Sequence, residues 1–171
     1  MSLIEISQVL NDSELGTGLR ESVYMFPFIE GLHLIGLTLS VGLLFFVDLR
    51  LLGVFLPQLP VAQVLRPLRP WLLSGFALTF VTGILLFIAG AAKIILLPVF
   101  FYKLGFIALA GLNALWFELK WGREIDSWGQ ASVLPVTVRL AGVTSLTLWS
   151  LVIIAGRLFL IWVISKYYVN T

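Results

Sequence analysis

The sequence predicts an all-α integral membrane protein, a bundle of four membrane-spanning helices preceded by a short amphipathic helix. Of the 171 residues, 60% are hydrophobic and only 12% are charged, whereas soluble domains are about 45–50% apolar and about 25% charged. A core of this size cannot hide such an excess, so lipid is the expected solvent. The apolar residues are also gathered into four stretches, each long enough to cross a hydrocarbon core of about 30 Å as a helix.

The chain is predicted to consist of an interfacial segment, residues 1–22, and a four-span domain, residues 23–171. In the first segment, apolar residues recur at helical spacing, which is typical of a helix lying on a membrane surface; they are Leu3, Ile6, Val9 and Leu10. A frayed tail is the alternative. The spans cover roughly residues 23–53, 71–90, 98–119 and 135–165. Prolines mark three of their starts: Pro98, Pro135, and the pair Pro67 and Pro70 ahead of the second span.

Basic residues in the short loops predict the orientation. The loop after the first span contains Arg50, Arg66 and Arg69, and the loop after the third contains Lys120 and Arg123. Loops rich in arginine and lysine stay in the cytoplasm. We therefore expect a bacterial inner (plasma) membrane protein with both termini outside, in the periplasm, and with loops one and three in the cytoplasm.

Several function classes are not expected. The net charge of +2 and the lack of a basic block give no sign of a nucleic-acid partner. The chain has no cysteine, which excludes disulfides, thiolate metal sites and cysteine nucleophiles. The loops are too short to build a soluble active site, so no catalytic residue is assigned and an enzyme is not expected.

Charged residues inside the spans are the main functional candidates, because they are costly in lipid. Glu30 and Asp48 are 18 residues apart in the first span, and Arg139 and Arg157 have the same spacing in the fourth. At about 3.6 residues per turn, each pair lies on one helix face. If the two spans are antiparallel neighbours, the ion pairs Glu30–Arg157 and Asp48–Arg139 can form together. The alternative partners of Asp48 are Arg50 and Arg66.

A polar cluster is predicted in the outer half of the membrane. His33 follows Glu30 by one turn, and Lys103 lies about 8 Å into the third span, at a depth similar to that of Arg157. One interpretation is a buried charge network that holds the helices together. The other is a ligand site that binds an anion or a quinone, relays protons, or holds haem through His33 with its propionates on the cations.

The sequence does not decide which cofactor, if any, the protein binds. Since the chain has one histidine, a haem b with two histidine ligands from the same chain is excluded. A five-coordinate haem, or one shared across a dimer, is still possible, and His33 is the only candidate ligand for haem or metal. A histidine hydrogen-bonded for structural reasons is the alternative.

Small and hydroxyl-bearing residues within the spans predict helix contacts. Gly36 and Ser40 are one turn apart and would let a neighbouring helix approach closely. Gly105, Ala108 and Gly111 suggest the same for the third span. Thr79 and Thr82 are predicted to form hydrogen bonds between helices.

Two motifs in the first span carry a resemblance. The stretches Glu30-Gly-Leu-His33-Leu-Ile-Gly36 and Asp48-Leu-Arg50-Leu-Leu-Gly53 resemble the first helix of a family of small bacterial inner-membrane proteins of unknown function. The resemblance continues over most of the chain, through Pro70-Trp71, Lys103-Leu104 and Gly156-Arg157. It implies a four-helix layout, similar in outline to b-type cytochromes and copper-resistance membrane proteins, and it implies no assigned activity.

Three functional hypotheses follow. The first is an accessory or ligand-binding subunit with a polar site in the outer leaflet, linked to electron transfer through a quinone or haem. The second is a small transporter or proton-relay protein, against which the apolar stretch from Gly42 to Phe46 argues. The third is a structural or assembly subunit of a membrane complex. The expected partners are the lipid bilayer and either another membrane protein or a second copy of the chain.

Overall fold

The computed structural model describes residues 1–129 and 134–169, and their regular secondary structure is entirely helical. The helices are α1 (Leu3–Asn11), α2 (Glu14–Glu21), α3 (Met25–Leu37), α4 (Leu43–Leu51), α5 (Val61–Ile94), α6 (Pro98–Phe117), α7 (Ile125–Trp128) and α8 (Val136–Val169). A π-helical segment, Thr38–Gly42, joins α3 to α4. A second one, Glu118–Gly122, extends α6. The predicted all-α class is therefore confirmed for the described residues.

Four helical stretches of the described chain are long and apolar enough to cross a membrane: Met25–Leu51, Val61–Ile94, Pro98–Gly122 and Val136–Leu158. They overlap the four predicted spans. The first ends in a left-handed turn at Gly53 (φ 77°), whose amide donates to the Arg50 carbonyl at 3.0 Å. Glycine adopts this conformation without steric cost, which explains why α4 stops there.

The second stretch differs from the prediction at its start. Helix α5 begins at Val61, so Pro67 and Pro70 lie inside it and do not precede it. The Val61 amide donates to the Gly129 carbonyl at 2.8 Å, which anchors the first turn before the prolines are reached. Proline has no N–H group, so the carbonyl four residues before each proline receives no helical hydrogen bond. Both prolines are exposed, which places these carbonyls near the helix surface.

The chain forms two compact units. The first unit contains residues Met1–Gly42 and Trp71–Pro98. Its apolar core is built from Leu19, Ile29 and Ala89, with Leu85 and Leu86 packed against it. The Arg20 guanidinium donates to the carbonyls of Asn11 (2.9 Å) and Ala89 (3.4 Å), which fastens α2 to α5.

The predicted N-terminal helix is found as α1. Ser2 and Glu5 form a capping box at its first turn, where each side chain accepts a hydrogen bond from the backbone amide of the other residue. A further helix, α2, fills the rest of residues 1–22. Their location on a membrane surface stays a prediction.

The second unit contains residues Leu43–Pro70 and Val99–Thr171. Its core is formed by apolar side chains of α4, α5, α7 and α8 and of the residue two positions before α8: Leu51, Val61, Ala62, Ile125, Val138 and Leu134. The indole of Trp128 donates to the Trp121 carbonyl at 2.8 Å. Helix α8 approaches α4 closely at Gly142, where an added Cβ would lie 3.3 Å from the Asp48 carbonyl oxygen. This approach sets the surroundings of the Asp48 side chain.

Candidate functional site

Small residues form a close antiparallel contact in the first unit, here called the seam, between Gly36 and Ser40 of the first span and Gly75 and Thr79 of α5. A Cβ added at Gly36 would lie 2.6 Å from Thr79 Oγ1, and one added at Gly75 would lie 2.6 Å from the Ser40 amide nitrogen. Neither position has room for a larger residue. The prediction that Gly36 and Ser40 allow a helix to approach is confirmed.

His33 continues the seam by one turn. Its Nδ1 lies 2.9 Å from Thr82 Oγ1, and the Thr82 hydroxyl lies 2.6 Å from the Leu78 carbonyl. Since a hydroxyl has one hydrogen and the Leu78 contact is the shorter, we assign Thr82 as the acceptor and His33 Nδ1–H as the donor. The lone pair of the neutral imidazole then lies on Nε2. The predicted role of Thr82 as an interhelical hydrogen-bonding residue is confirmed.

The backbone of α5 also holds the imidazole ring in place. A Cβ added at Gly83 would lie 3.2 Å from His33 Cε1, so only a glycine leaves the ring its present position. The Thr82 hydroxyl and the Gly83 backbone together fix both the orientation of the ring and the direction of Nε2. A fixed ring of this kind is what a ligand-binding histidine requires, and it is equally suited to holding two helices together.

The structure places the other members of the predicted polar cluster in different units. Glu30 is exposed, one turn before His33 in the first unit. Lys103 and Arg157 belong to the second unit, where the Lys103 ammonium lies 3.8 Å from the position of a Cβ added at Gly156. The Arg157 side chain is exposed. The convergence of these four residues and the Glu30–Arg157 ion pair stay predictions.

Glu30 and Asp48 are not separated by the whole α-helical turns that the sequence predicted. The π-helical segment Thr38–Gly42 lies between them. A π-turn contains more residues than an α-turn, so the predicted spacing does not hold across this segment. The two predicted ion pairs are therefore supported only by the opposite charges of their members.

Asp48 has an unusual environment in the second unit. Its side chain is only 3% exposed, and Ser145, which is also buried, follows by three residues the Gly142 position where α8 approaches the Asp48 backbone. Its Oδ2 atom is buried and has no hydrogen-bond partner within residues 1–129 and 134–169. Arg50 is also buried, and its Nε donates to the Leu59 carbonyl at 2.6 Å. Arg139 is exposed, and the Asp48–Arg139 pair stays a prediction.

The sequence reasoning missed two polar contacts of the second unit. One is the ion pair between Arg69 and Glu118, with side chains 49% and 36% exposed. The other is the contact of Ser145 with Asp48. The predicted topology could have indicated the first, because it places Arg69 and Glu118 at the same membrane face. Nothing in the local sequence singles out Ser145.

The described residues contain no group of three or more His, Cys, Asp or Glu side chains that could hold a metal ion. Within this part of the chain, His33 is therefore not a member of a site with three or more such side chains. That arrangement fits a five-coordinate haem, in which the porphyrin supplies four nitrogens. It does not resemble a zinc site, for which three or four side-chain ligands are usual.

Comparison with known proteins identifies a family. No curated protein and no solved structure matches the chain. Residues 16–162 match the sequence profile of a family of unknown function, DUF6644. This agrees with the predicted resemblance to an uncharacterised family, while the bacterial origin and the first-helix motifs of that resemblance stay predictions. Because the match extends from within α2 to within α8, the chain belongs to the family of unknown function DUF6644.

Proposed function

We propose that this chain is an integral membrane protein of the bacterial inner membrane that crosses the bilayer four times, with both termini in the periplasm and loops one and three in the cytoplasm. The low burial of the apolar helices supports the proposal. In the most apolar part of Pro98–Gly122, 6% of the residues are buried inside the protein. Exposed apolar surface of this extent marks a membrane or protein contact.

Cysteine labelling tests the topology, because the natural chain has no cysteine of its own. Glu21→Cys lies ahead of the first span and Gln58→Cys lies in loop one, and both positions are exposed. A membrane-impermeant maleimide should label Glu21→Cys in intact spheroplasts and Gln58→Cys only after the membrane is permeabilised. The opposite pattern would reverse the orientation, and labelling of both in intact spheroplasts would refute the crossing between them.

Within the membrane, the chain acts as an accessory or ligand-binding subunit whose ligand binds beside Glu30 and His33 in the outer leaflet. The observation that carries this proposal is the hydrogen bond between His33 Nδ1 and Thr82 Oγ1 at 2.9 Å. With the Thr82 hydroxyl bonded to the Leu78 carbonyl, this contact favours the tautomer that has its lone pair on Nε2. Such a nitrogen can bind haem iron or accept a hydrogen bond from a quinol hydroxyl, and both ligands would link the subunit to electron transfer.

Absorption spectroscopy and mass spectrometry of the purified protein test the ligand. The chain is produced in haem-replete cells as wild type, His33→Ala and Thr82→Val, with Thr147→Val as the matched control. Thr147 is exposed and bonds only to the Val143 carbonyl of its own helix. A Soret band in the wild type and the control, lost in His33→Ala and weakened in Thr82→Val, supports haem. A co-purified quinone with the same dependence supports quinone binding. If the purified wild-type protein contains neither haem nor a quinone, the proposed site is refuted.

A structural or assembly subunit is the second candidate function. The seam favours it, because tight packing at Gly36 and Gly75 explains the position of His33 without any ligand. Under this hypothesis His33→Ala lowers the melting temperature with no change in bound small molecules. A second membrane protein that co-purifies with the wild type and is lost in His33→Ala would favour this function over ligand binding.

A further inference from the structure

Asp48 is the most deeply buried acidic side chain that the structure describes, and the function proposed above does not use it. It lies in the second unit, so an inference about it is independent of His33 and its ligand. Burying a carboxylate is costly unless a positive charge or several hydrogen bonds compensate for it. The surroundings of Asp48 therefore show what else is needed there.

The described neighbours of Asp48 do not neutralise it. Ser145 contributes one hydroxyl, and Oδ2 has no donor among the residues that the structure describes. The Nε of Arg50 donates to the Leu59 carbonyl at 2.6 Å, and no ion pair between Arg50 and Asp48 is found within the described residues. Arg139, on the helix that carries Ser145, is exposed and precedes Ser145 by about 9 Å of helix rise.

Further polar groups lie at the same level of the second unit. The Asn113 amide of α6 donates to the Ala141 carbonyl at 3.1 Å, and Ala141 is one turn before Ser145 on α8. At Gly142 the α8 backbone comes close to the Asp48 carbonyl oxygen. Three helices of the second unit, α4, α6 and α8, thus carry a carboxyl, an amide and a hydroxyl within about one helical turn of the contact at Gly142.

We propose that Asp48 and Ser145 form a binding site for one monovalent cation, either Na⁺ or a proton, which compete for Oδ2. Carboxylate and hydroxyl oxygens are hard ligands suited to hard cations. A single carboxylate balances a single positive charge. The described residues offer no cluster of three acidic or histidine side chains, as a divalent ion would favour.

Thermal unfolding of the protein in detergent micelles tests whether the bound cation is Na⁺. The readout is the fluorescence of its six tryptophans. NaCl is exchanged for choline chloride at constant ionic strength. The melting temperature of the wild type should rise with Na⁺, and that of Asp48→Asn should not respond. Ser145→Ala should raise the half-saturating Na⁺ concentration about tenfold, the loss expected for one contact to a charged group. A Na⁺ response that persists in Asp48→Asn overturns the proposal.

A hydrophobic carbodiimide tests whether the bound cation is a proton, because this reagent reacts with a buried carboxyl group that carries a proton. If the wild type does not respond to Na⁺, an adduct on the peptide containing Asp48 identifies the proton as the ligand. If the protein shows neither a Na⁺ response nor a carbodiimide adduct, the proposal is overturned. Water alone would then solvate the carboxylate. If Asp48→Asn fails to fold, Ser145→Ala and the carbodiimide still test the site.

Arg139→Gln separates this proposal from the predicted ion pair. If Arg139 neutralised Asp48, its removal would lower the melting temperature as much as Asp48→Asn does and would create a new Na⁺ response. That result overturns the cation site. If Asp48 binds a cation, Arg139→Gln leaves the wild-type Na⁺ response or carbodiimide adduct unchanged.

Discussion

Replacing Gly36 by alanine is the most direct test of the seam. The added methyl group would lie 2.6 Å from Thr79 Oγ1 and 2.9 Å from the Thr79 backbone nitrogen, whereas ordinary contact starts at 3.4 Å. A side-chain oxygen can rotate away, but the backbone nitrogen can move only with α5. The helices must therefore separate by about 0.5 Å at this point, which forfeits a quarter or more of the dispersion energy of each contact across it.

The magnitude follows from two opposing effects. Overpacking of a close contact costs about 1–3 kcal/mol, and a clash with backbone belongs in the upper half of that range. Alanine gains about 1 kcal/mol over glycine in helix propensity. We therefore expect Gly36→Ala to lower the free energy of unfolding by about 1–2 kcal/mol.

Gly31 provides a matched control on the same helix, because a Cβ added there meets nothing within 4 Å. Gly31→Ala should leave stability unchanged or raise it by up to about 1 kcal/mol. Denaturant unfolding in mixed micelles, followed by tryptophan fluorescence, measures both variants. If Gly36→Ala unfolds at the same denaturant concentration as Gly31→Ala, the seam is not closely packed and the reasoning is refuted.

Three further predictions concern single contacts. Thr82→Val keeps the side-chain shape but removes the acceptor for His33 Nδ1, and should cost about 1 kcal/mol in the same unfolding assay. Arg69→Gln breaks the exposed ion pair with Glu118 and should cost less than about 1 kcal/mol, with a difference that shrinks in high salt. Ser2→Ala removes the cap of α1 and should destabilise that helix by about 1 kcal/mol, seen as faster hydrogen exchange of its first turn with an unchanged global melt.

Each of these has a clear contrary outcome. Wild-type stability of Thr82→Val would mean that the His33 contact contributes nothing to the fold. A loss in Arg69→Gln that persists in high salt would point to a shielded pair. Unchanged exchange in Ser2→Ala would show that tertiary contacts, and not the capping box, hold the start of α1.

The helices themselves were predictable from the sequence, because an apolar stretch long enough to cross a bilayer is a strong local signal. The seam was partly predictable for a similar reason. Gly36, Ser40 and Thr82 stand out in an apolar helix, where small and hydroxyl-bearing residues are typical of helix contacts. Their partners across the seam lie about 35 to 50 residues away in the sequence and needed the structure.

The remaining features depend on tertiary contacts or lack a local signal. The start of α5 is anchored by the Gly129 carbonyl, far along the chain from Val61. The π-helical segments have no sequence pattern that distinguishes them from α-helix. Charge partners were the least predictable, because several basic side chains could satisfy each acid, and Arg69 paired with Glu118 without being considered.

The low burial of α6 has a consequence for how the protein would respond to its membrane. Neighbouring helices usually set the tilt of a transmembrane helix, but only 6% of the most apolar part of Pro98–Gly122 is buried against the rest of the chain. The apolar helix α6 itself, Pro98–Phe117, has 20 residues and rises about 30 Å at 1.5 Å per residue, which matches a hydrocarbon thickness of about 30 Å. In a thinner bilayer, hydrophobic mismatch would then act mainly on α6, because few contacts hold it, and lipid chain length would change the tilt of this helix more than that of the others.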